Sequence, residues 1–266
     1  MVKVIALAVL GGYAGPALLR QAIDKTISDV EDQVNKRVDS VEGRLEAHTE
    51  KAAKIHDEIH EEVDAINERF KRDQAAMYIS LKQLAAPRQD REFHEEIARA
   101  IKTASDQARL QIFINARLLR RNTWNKDKAR MERTIPVFKA LADADASDAN
   151  GHGRKHFYWA EYGYTLKDKQ VPDWLGAFEN LDNAIRIREE QRDAPSHATY
   201  EFNRAICGIH LNKNKDQIVA DLREAYSCET NHGRVEESAD ITRWLAENKL
   251  SLSMLNIQRT HQEESA

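Results

Sequence analysis

Residues 158–184, YWAEYGYTLKDKQVPDWLGAFENLDNA, and residues 200–226, YEFNRAICGIHLNKNKDQIVADLREAY, carry one pattern twice. Trp159, Tyr162, Gly163 and Leu166 lead to Ala177, Leu181 and Ala184. Asn203, Arg204 and Ala205 lead to Ile218, Leu222 and Ala225. Gly163 to Ala205 is 42 residues, and Ala177–Ile218, Leu181–Leu222 and Ala184–Ala225 are each 41 residues apart. A small residue where two helices meet, followed by apolar anchors at steps of four and three, reads as a helical hairpin that stacks on its neighbour. Stacks of this kind present a surface to a partner and supply no chemistry of their own.

Composition agrees with a helical, extended protein. Apolar residues are 41% and charged residues 32%, a balance that favours exposed helices over one large globule. Glycine and proline number only 10 and 5, too few for the turns of an all-β fold. A net charge of -4 leaves no global basic field to draw in nucleic acid. The two cysteines, Cys207 and Cys228, are too few and too widely spaced for a disulfide framework or a zinc knuckle, and read as ordinary thiols.

The first 19 residues, MVKVIALAVLGGYAGPALL, hold Lys3 as their only charge. Three readings compete: a short membrane anchor, a signal peptide with Val4–Leu10 as its apolar core, and a helix packed against protein. Membrane association is the leading expectation, with a periplasmic, secreted or cytoplasmic location as the alternative.

From Ala17 to Ala86 there is no proline and one glycine, Gly43. An apolar spine runs through this stretch: Ile27, Val30, Val34, Val38, Val41, Leu45, His48, Ala52, Ile55, Ile59, Val63, Ile66 and Phe70. Its twelve steps cover 43 residues, a mean of about 3.58, close to the straight-helix value of 3.6. Charged residues occupy the other faces. A stripe this narrow needs a partner, either a copy of itself or another helix, so residues 21–86 are expected to form a coiled-coil stalk and a homo-oligomer. Valine and isoleucine along the seam do not choose the number of strands.

Residues 91–142 read as a helical connector. Phe93, Ile97, Ala100 and Ile101 share one stripe, while Leu110, Ile112, Phe113, Ile114, Leu118 and Leu119 form a denser one. Pro87 separates the connector from the stalk, and Pro136 suits a helix start. The run DADASDANGHG at 143–153 is the clearest linker in the chain. The organisation expected is an apolar segment at 1–20, a stalk at 21–86, a connector at 91–142, a hairpin domain with a capping helix at 153–247, and a polar tail at 248–266.

The region Tyr158–Glu229 resembles the tetratricopeptide repeat family. Trp159, Tyr162, Gly163 and Leu166 follow that family's first-helix order, and Ala177, Leu181 and Ala184 its second-helix order. Asn203, Arg204 and Ala205 resemble its Asn-Arg-Ala variety. Both units have longer loops than the family repeat, and Glu201 stands where an aromatic is usual. The resemblance implies a solenoid of helical hairpins; with the stalk and the composition, the expected fold is all-α, a long N-terminal coiled-coil helix followed by that solenoid. Val235–Leu245 would serve as the cap. It also implies a groove that binds a protein or an extended peptide, floored by Glu161, Tyr164, Lys167, Asn203 and Ile206. The lysine and asparagine that some relatives use to clamp a carboxylate are absent from the first unit, where Glu161 and Tyr164 stand.

Catalytic patterns are lacking. His56 and His60 are four apart on one helix, but Asp57 occupies the place a zinc protease gives to glutamate, and such a site also needs a third ligand and a cleft, which an exposed rod does not offer. His152 and His156 share the spacing, with His152 between two glycines in a loop. No phosphate loop or nucleophile elbow occurs. The chain is therefore expected to be non-enzymatic, without cofactor or metal, and to act as an oligomeric scaffold or adaptor. A basic run, Arg117, Arg120, Arg121, Lys126, Lys128, Arg130 and Arg133 around Trp124, supports the alternative of a nucleic-acid-associated factor.

Overall fold

The computed structural model describes residues 2–86, 90–147, 154–192 and 198–255, with side chains from Arg20 onward. These residues are helical throughout, with turns between helices and no strand among them. Two units divide the chain, residues 1–67 and 68–266.

The first unit is a single helix. It lies within α1 (Val2–Ala85), and its apolar spine faces solvent along the described length. Val34 is 51% exposed, Val41 61% and Ile66 65%, so the stripe has no cover within the chain. The apolar run at residues 1–19 lies outside the residues whose side chains are described. Among the described residues, no helix is long and apolar enough to cross a membrane.

The second unit begins earlier than Pro87. The last turns of α1 pack with α2 (Arg91–Thr103), α3 (Asp106–Thr123), α5 (Ile135–Ala146) and α6 (His156–Asp168). Ile79 and Leu84 enter a core with Ile97, Ile112, Phe138 and Tyr158. Polar bonds fasten the same turns. Asp73 accepts from the Ser105 backbone N–H at 2.7 Å and hydroxyl at 2.6 Å, and Arg133 donates to the Ala85 carbonyl at 2.7 Å. The stalk expected at 21–86 thus yields its final turns to the second unit, because residues 68–85 carry a second apolar stripe that meets α2 and α3.

Local chemistry starts the helices. Asp90 accepts the Phe93 N–H, Ser105 the Ala108 N–H and Asp173 the Gly176 N–H, each satisfying a donor that the first helical turn leaves free. The short α4 (Lys128–Glu132) is capped in the same way by Asp127. Helix α5 runs on through Ala146, into the stretch expected as linker. Buried Asp145 anchors that extension, accepting from the Trp159 indole at 3.0 Å and the Lys155 N–H at 2.8 Å, and Lys139 pairs with Asp143 at 2.6 Å.

Two hairpins follow. Helix α6 turns back into α7 (Trp174–Glu190), and α8 (Thr199–His210) into α9 (Lys215–Ser227). Helices α7 and α8 pack side by side, joining the hairpins. Gly163 is where α6 meets α7: a Cβ there would stand 2.9 Å from Leu181 Cγ and 3.1 Å from the Ala177 carbonyl oxygen. Gly208 makes the corresponding approach in the second hairpin, 3.2 Å from Ile218 Cγ1. The expected cap at Val235–Leu245 is two helices, α10 (Glu229–Glu237) and α11 (Ala239–Glu247), parted at Ser238. Val235, Ile241 and Leu245 are buried on Ile218 and Leu222, with Trp244 half-buried beside them. The tail contributes as well: Leu252–Leu255 forms a 3-10 turn that buries Leu255 on the same cluster.

Candidate functional site

Ion pairs set the hairpins against their neighbours. Glu161, on α6, accepts from Arg117 Nε at 2.7 Å and Arg120 Nε at 2.5 Å, both on α3. Arg120 also reaches Asp168 at 3.5 Å. Arg188 of α7 bonds Glu201 of α8, both side chains buried, with the Tyr200 ring 5.5 Å from the guanidinium carbon. Arg204 ties three helices together, to Asp182 of α7 at 2.5 Å and to Asp221 of α9 at 2.6 Å. Burial holds the Asp221 carboxyl above its ordinary range, outweighing the bond and charge of Arg204.

A cavity of about 400 Å³ opens where α3, α6, α8 and α10 converge. Tyr164 and Lys167 of α6 line it, together with Thr199, Phe202 and Asn203 of α8. Arg121 and Trp124 approach from the end of α3, and Arg234, Glu237 and Ser238 from α10 and its exit. Four basic side chains, Arg120, Arg121, Lys167 and Arg234, face two carboxylates, Asp168 and Glu237, so the lining is positive in a chain whose net charge is -4. Trp124 is exposed at the rim, and Arg234 lies over the Phe202 ring at 4.3 Å.

Three of the five residues expected on the groove floor therefore meet: Tyr164, Lys167 and Asn203. The other two do not line the opening. Glu161 is 3% exposed, held under Arg117 and Arg120, and Ile206 is buried with Phe202 and Leu222. Asn203 is itself mostly covered, and its amide donates to the Thr199 carbonyl at 2.7 Å, which makes it part of the helix as much as of the opening. Tyr164 also sits deep. Burial raises its hydroxyl far above the ordinary tyrosine range, with Tyr200 and Glu161 adding to the effect, so it stays protonated. Sequence reasoning missed Arg234, which lies on α10 just ahead of the cap expected from Val235, and the exit from α10, since that cap was read as one helix without a break at Ser238.

The fold absorbs three of the seven residues of the basic run. Arg117, Arg120 and Arg133 are bonded internally, while Arg121, Lys126, Lys128 and Arg130 remain exposed. His56 and His60 stack edge-on at 4.5 Å. Among the described residues, no group of three histidine, cysteine or acidic side chains is placed to hold a metal. His152 lies outside the described residues. Both cysteines are free, and burial pushes the Cys207 thiol up to about 12, so it stays neutral.

No protein-family model, curated protein or solved structure matches this chain.

Proposed function

We propose that this chain is a non-enzymatic adaptor, with tetratricopeptide-like hairpins that hold a protein or peptide and a coiled-coil stalk that joins copies of it. One observation carries the reading: Tyr164, Lys167 and Asn203, 36 residues apart from Lys167 to Asn203, line one cavity between the hairpins and their neighbours. Its positive lining and the exposed Trp124 favour an extended acidic segment carrying an apolar or aromatic side chain. The test is fluorescence anisotropy with a labelled glutamate-rich peptide containing tryptophan. Arg121→Glu combined with Lys167→Glu should weaken binding at least tenfold, and an unchanged affinity would remove the cavity from the reading. Internal bonding of Arg117, Arg120 and Arg133 counts against the nucleic-acid alternative.

The stalk half of the proposal rests on the uncovered spine. Val41→Asp with Ile59→Asp would put unpaired charge into any seam, so the double variant should drop to monomer mass in light scattering at micromolar concentration. A wild-type chain that is already monomeric there would sink this half. Joining copies through the stalk would raise the avidity of the hairpin domain without new contacts.

Membrane association through residues 1–19 belongs to the same proposal. Full-length protein should pellet with membranes and be released by deleting those residues. Recovery in the soluble fraction with Met1 intact would refute it.

A further inference from the structure

The strongest unexplained surface is the stripe on the first unit, and it carries information about how its partner lies. From Ile27 to Ile66 every large apolar spine residue is exposed, the least exposed, Val63, at 45%. That span of 40 residues rises about 60 Å, and a helix is about 12 Å wide. Covering it buries roughly 700 Å² per copy, close to the approximately 800 Å² of a stable interface. The spine spacing fits itself. Its steps depart from the alternation of three and four at Val30–Val34–Val38 and Ile55–Ile59–Val63, and an unrelated helix would need matching departures at both places. A second copy has them without further requirement.

We infer that the stalk pairs with a second copy of itself in a parallel, in-register arrangement, resting on the self-association proposed above. Two features favour this orientation. The first is charge at the flanks of the seam. In a parallel pair the residue before each spine position that opens a three-residue step (Ile27, Val38, Leu45, Ala52 and Val63) faces the residue five further along the other copy. Arg37 then meets the partner copy's position 42, a glutamate, and this happens twice by symmetry. The remaining flanking pairs (26 with 31, 44 with 49, 51 with 56, 62 with 67) set no two residues of like formal charge together. Arg37 and Glu42 are both exposed, and neither is engaged within the chain.

The opposite orientation fares worse. Aligning the apolar spines head to tail places Ile27 level with position 66 of the other copy and Leu45 level with position 48. Arg44 then faces position 51, a lysine, on the same flank, again twice, at the centre of the seam. Like charges at flanking positions are destabilising, and at the centre they cannot fray away. The second feature is His48, the one polar residue in the spine. In register it meets its own copy, forming a polar layer that water or a hydrogen bond can satisfy. Head to tail it is set against Leu45, which removes that satisfaction in two layers. A single polar seam residue fixes register for this reason.

The test uses the full-length chain carrying Cys228→Ser, so that the more accessible native thiol does not contribute. Val41→Cys alone, mildly oxidised, should give a disulfide-linked dimer on a non-reducing gel, because in-register seam positions bring the two Cβ atoms within bonding range. Head-to-tail pairing predicts the reverse: no link for Val41→Cys alone, and a link when it is mixed with Ala52→Cys. That result would overturn the inference while leaving self-association intact. No link in either case, together with monomer mass in light scattering, would overturn both. Charge supplies a second readout. Arg37→Glu should weaken self-association roughly tenfold by replacing two attractions with two repulsions. Adding Glu42→Arg should restore it, and a double variant no better than the single would also overturn the inference.

Discussion

Replacing Glu201 with leucine should cost about 3–5 kcal/mol, because it strands the Arg188 guanidinium between α7 and α8. The Arg188 side chain is 9% exposed and that of Glu201 5%, so water cannot take over the lost bonds. Arg188 Nε already lacks a hydrogen-bond partner, which leaves Glu201 as the carboxylate that satisfies this group. The ring of Tyr200 helps but does not replace an acceptor. Arg188→Met alone should also destabilise, through the carboxylate it leaves buried. The double variant Arg188→Met with Glu201→Leu should recover most of the loss, since an apolar pair of similar volume has no charge to desolvate. Urea denaturation of the three variants measures this. Single-variant losses under 1 kcal/mol would mean that α7 and α8 do not bury the pair.

The second large effect is expected at Gly163. A methyl group there would meet Leu181 Cγ at 2.9 Å and the Ala177 carbonyl oxygen at 3.1 Å. Leu181 is fully buried among the hairpin's own residues, and the carbonyl belongs to the backbone, so neither can retreat without moving α7. Gly163→Ala should therefore destabilise by about 1–3 kcal/mol, and Gly163→Leu by more. Shortening the obstacle tests the cause: Leu181→Ala combined with Gly163→Ala should lose less than the sum of the two single variants. Gly43 provides the contrast. Nothing lies within 4 Å of a Cβ at that position, so Gly43→Ala should leave the stalk helix intact or strengthen it by up to about 1 kcal/mol. Equal responses at the two glycines would remove the close-packed hairpin from the account.

Much of the candidate site was legible, and the misses have particular causes. The resemblance to tetratricopeptide repeats implied a groove shared by Tyr164, Lys167 and Asn203, and these three line one cavity. The same resemblance put Glu161 on that groove, one turn before Tyr164 on the same helix. What removed it from the surface was Arg117 and Arg120, 44 and 41 residues earlier. No local pattern records that α3 would cover α6. Arg234 was missed for a related reason: it lies on α10, which begins at Glu229, ahead of the cap expected from Val235, and its place in the cavity depends on how α10 packs beside α8.

The sequence by itself determined that the chain is helical, that four of its helices close on glycines and alanines into two hairpins, and that one long helix carries a narrow apolar stripe. These are properties of residues three, four and seven apart, which share a helix face whatever the rest of the chain does. Only the tertiary structure decided where the stalk ends, which charges are buried, and which side chains share an opening. Residues 68–85 belong to the second unit because Ile79 and Leu84 find Ile97 and Ile112 there. Arg188 and Arg204 are structural because Glu201, Asp182 and Asp221 arrive from other helices. A charged residue on a helix has the same local pattern whether it meets water or a partner, and its burial depends on what the rest of the chain packs over it.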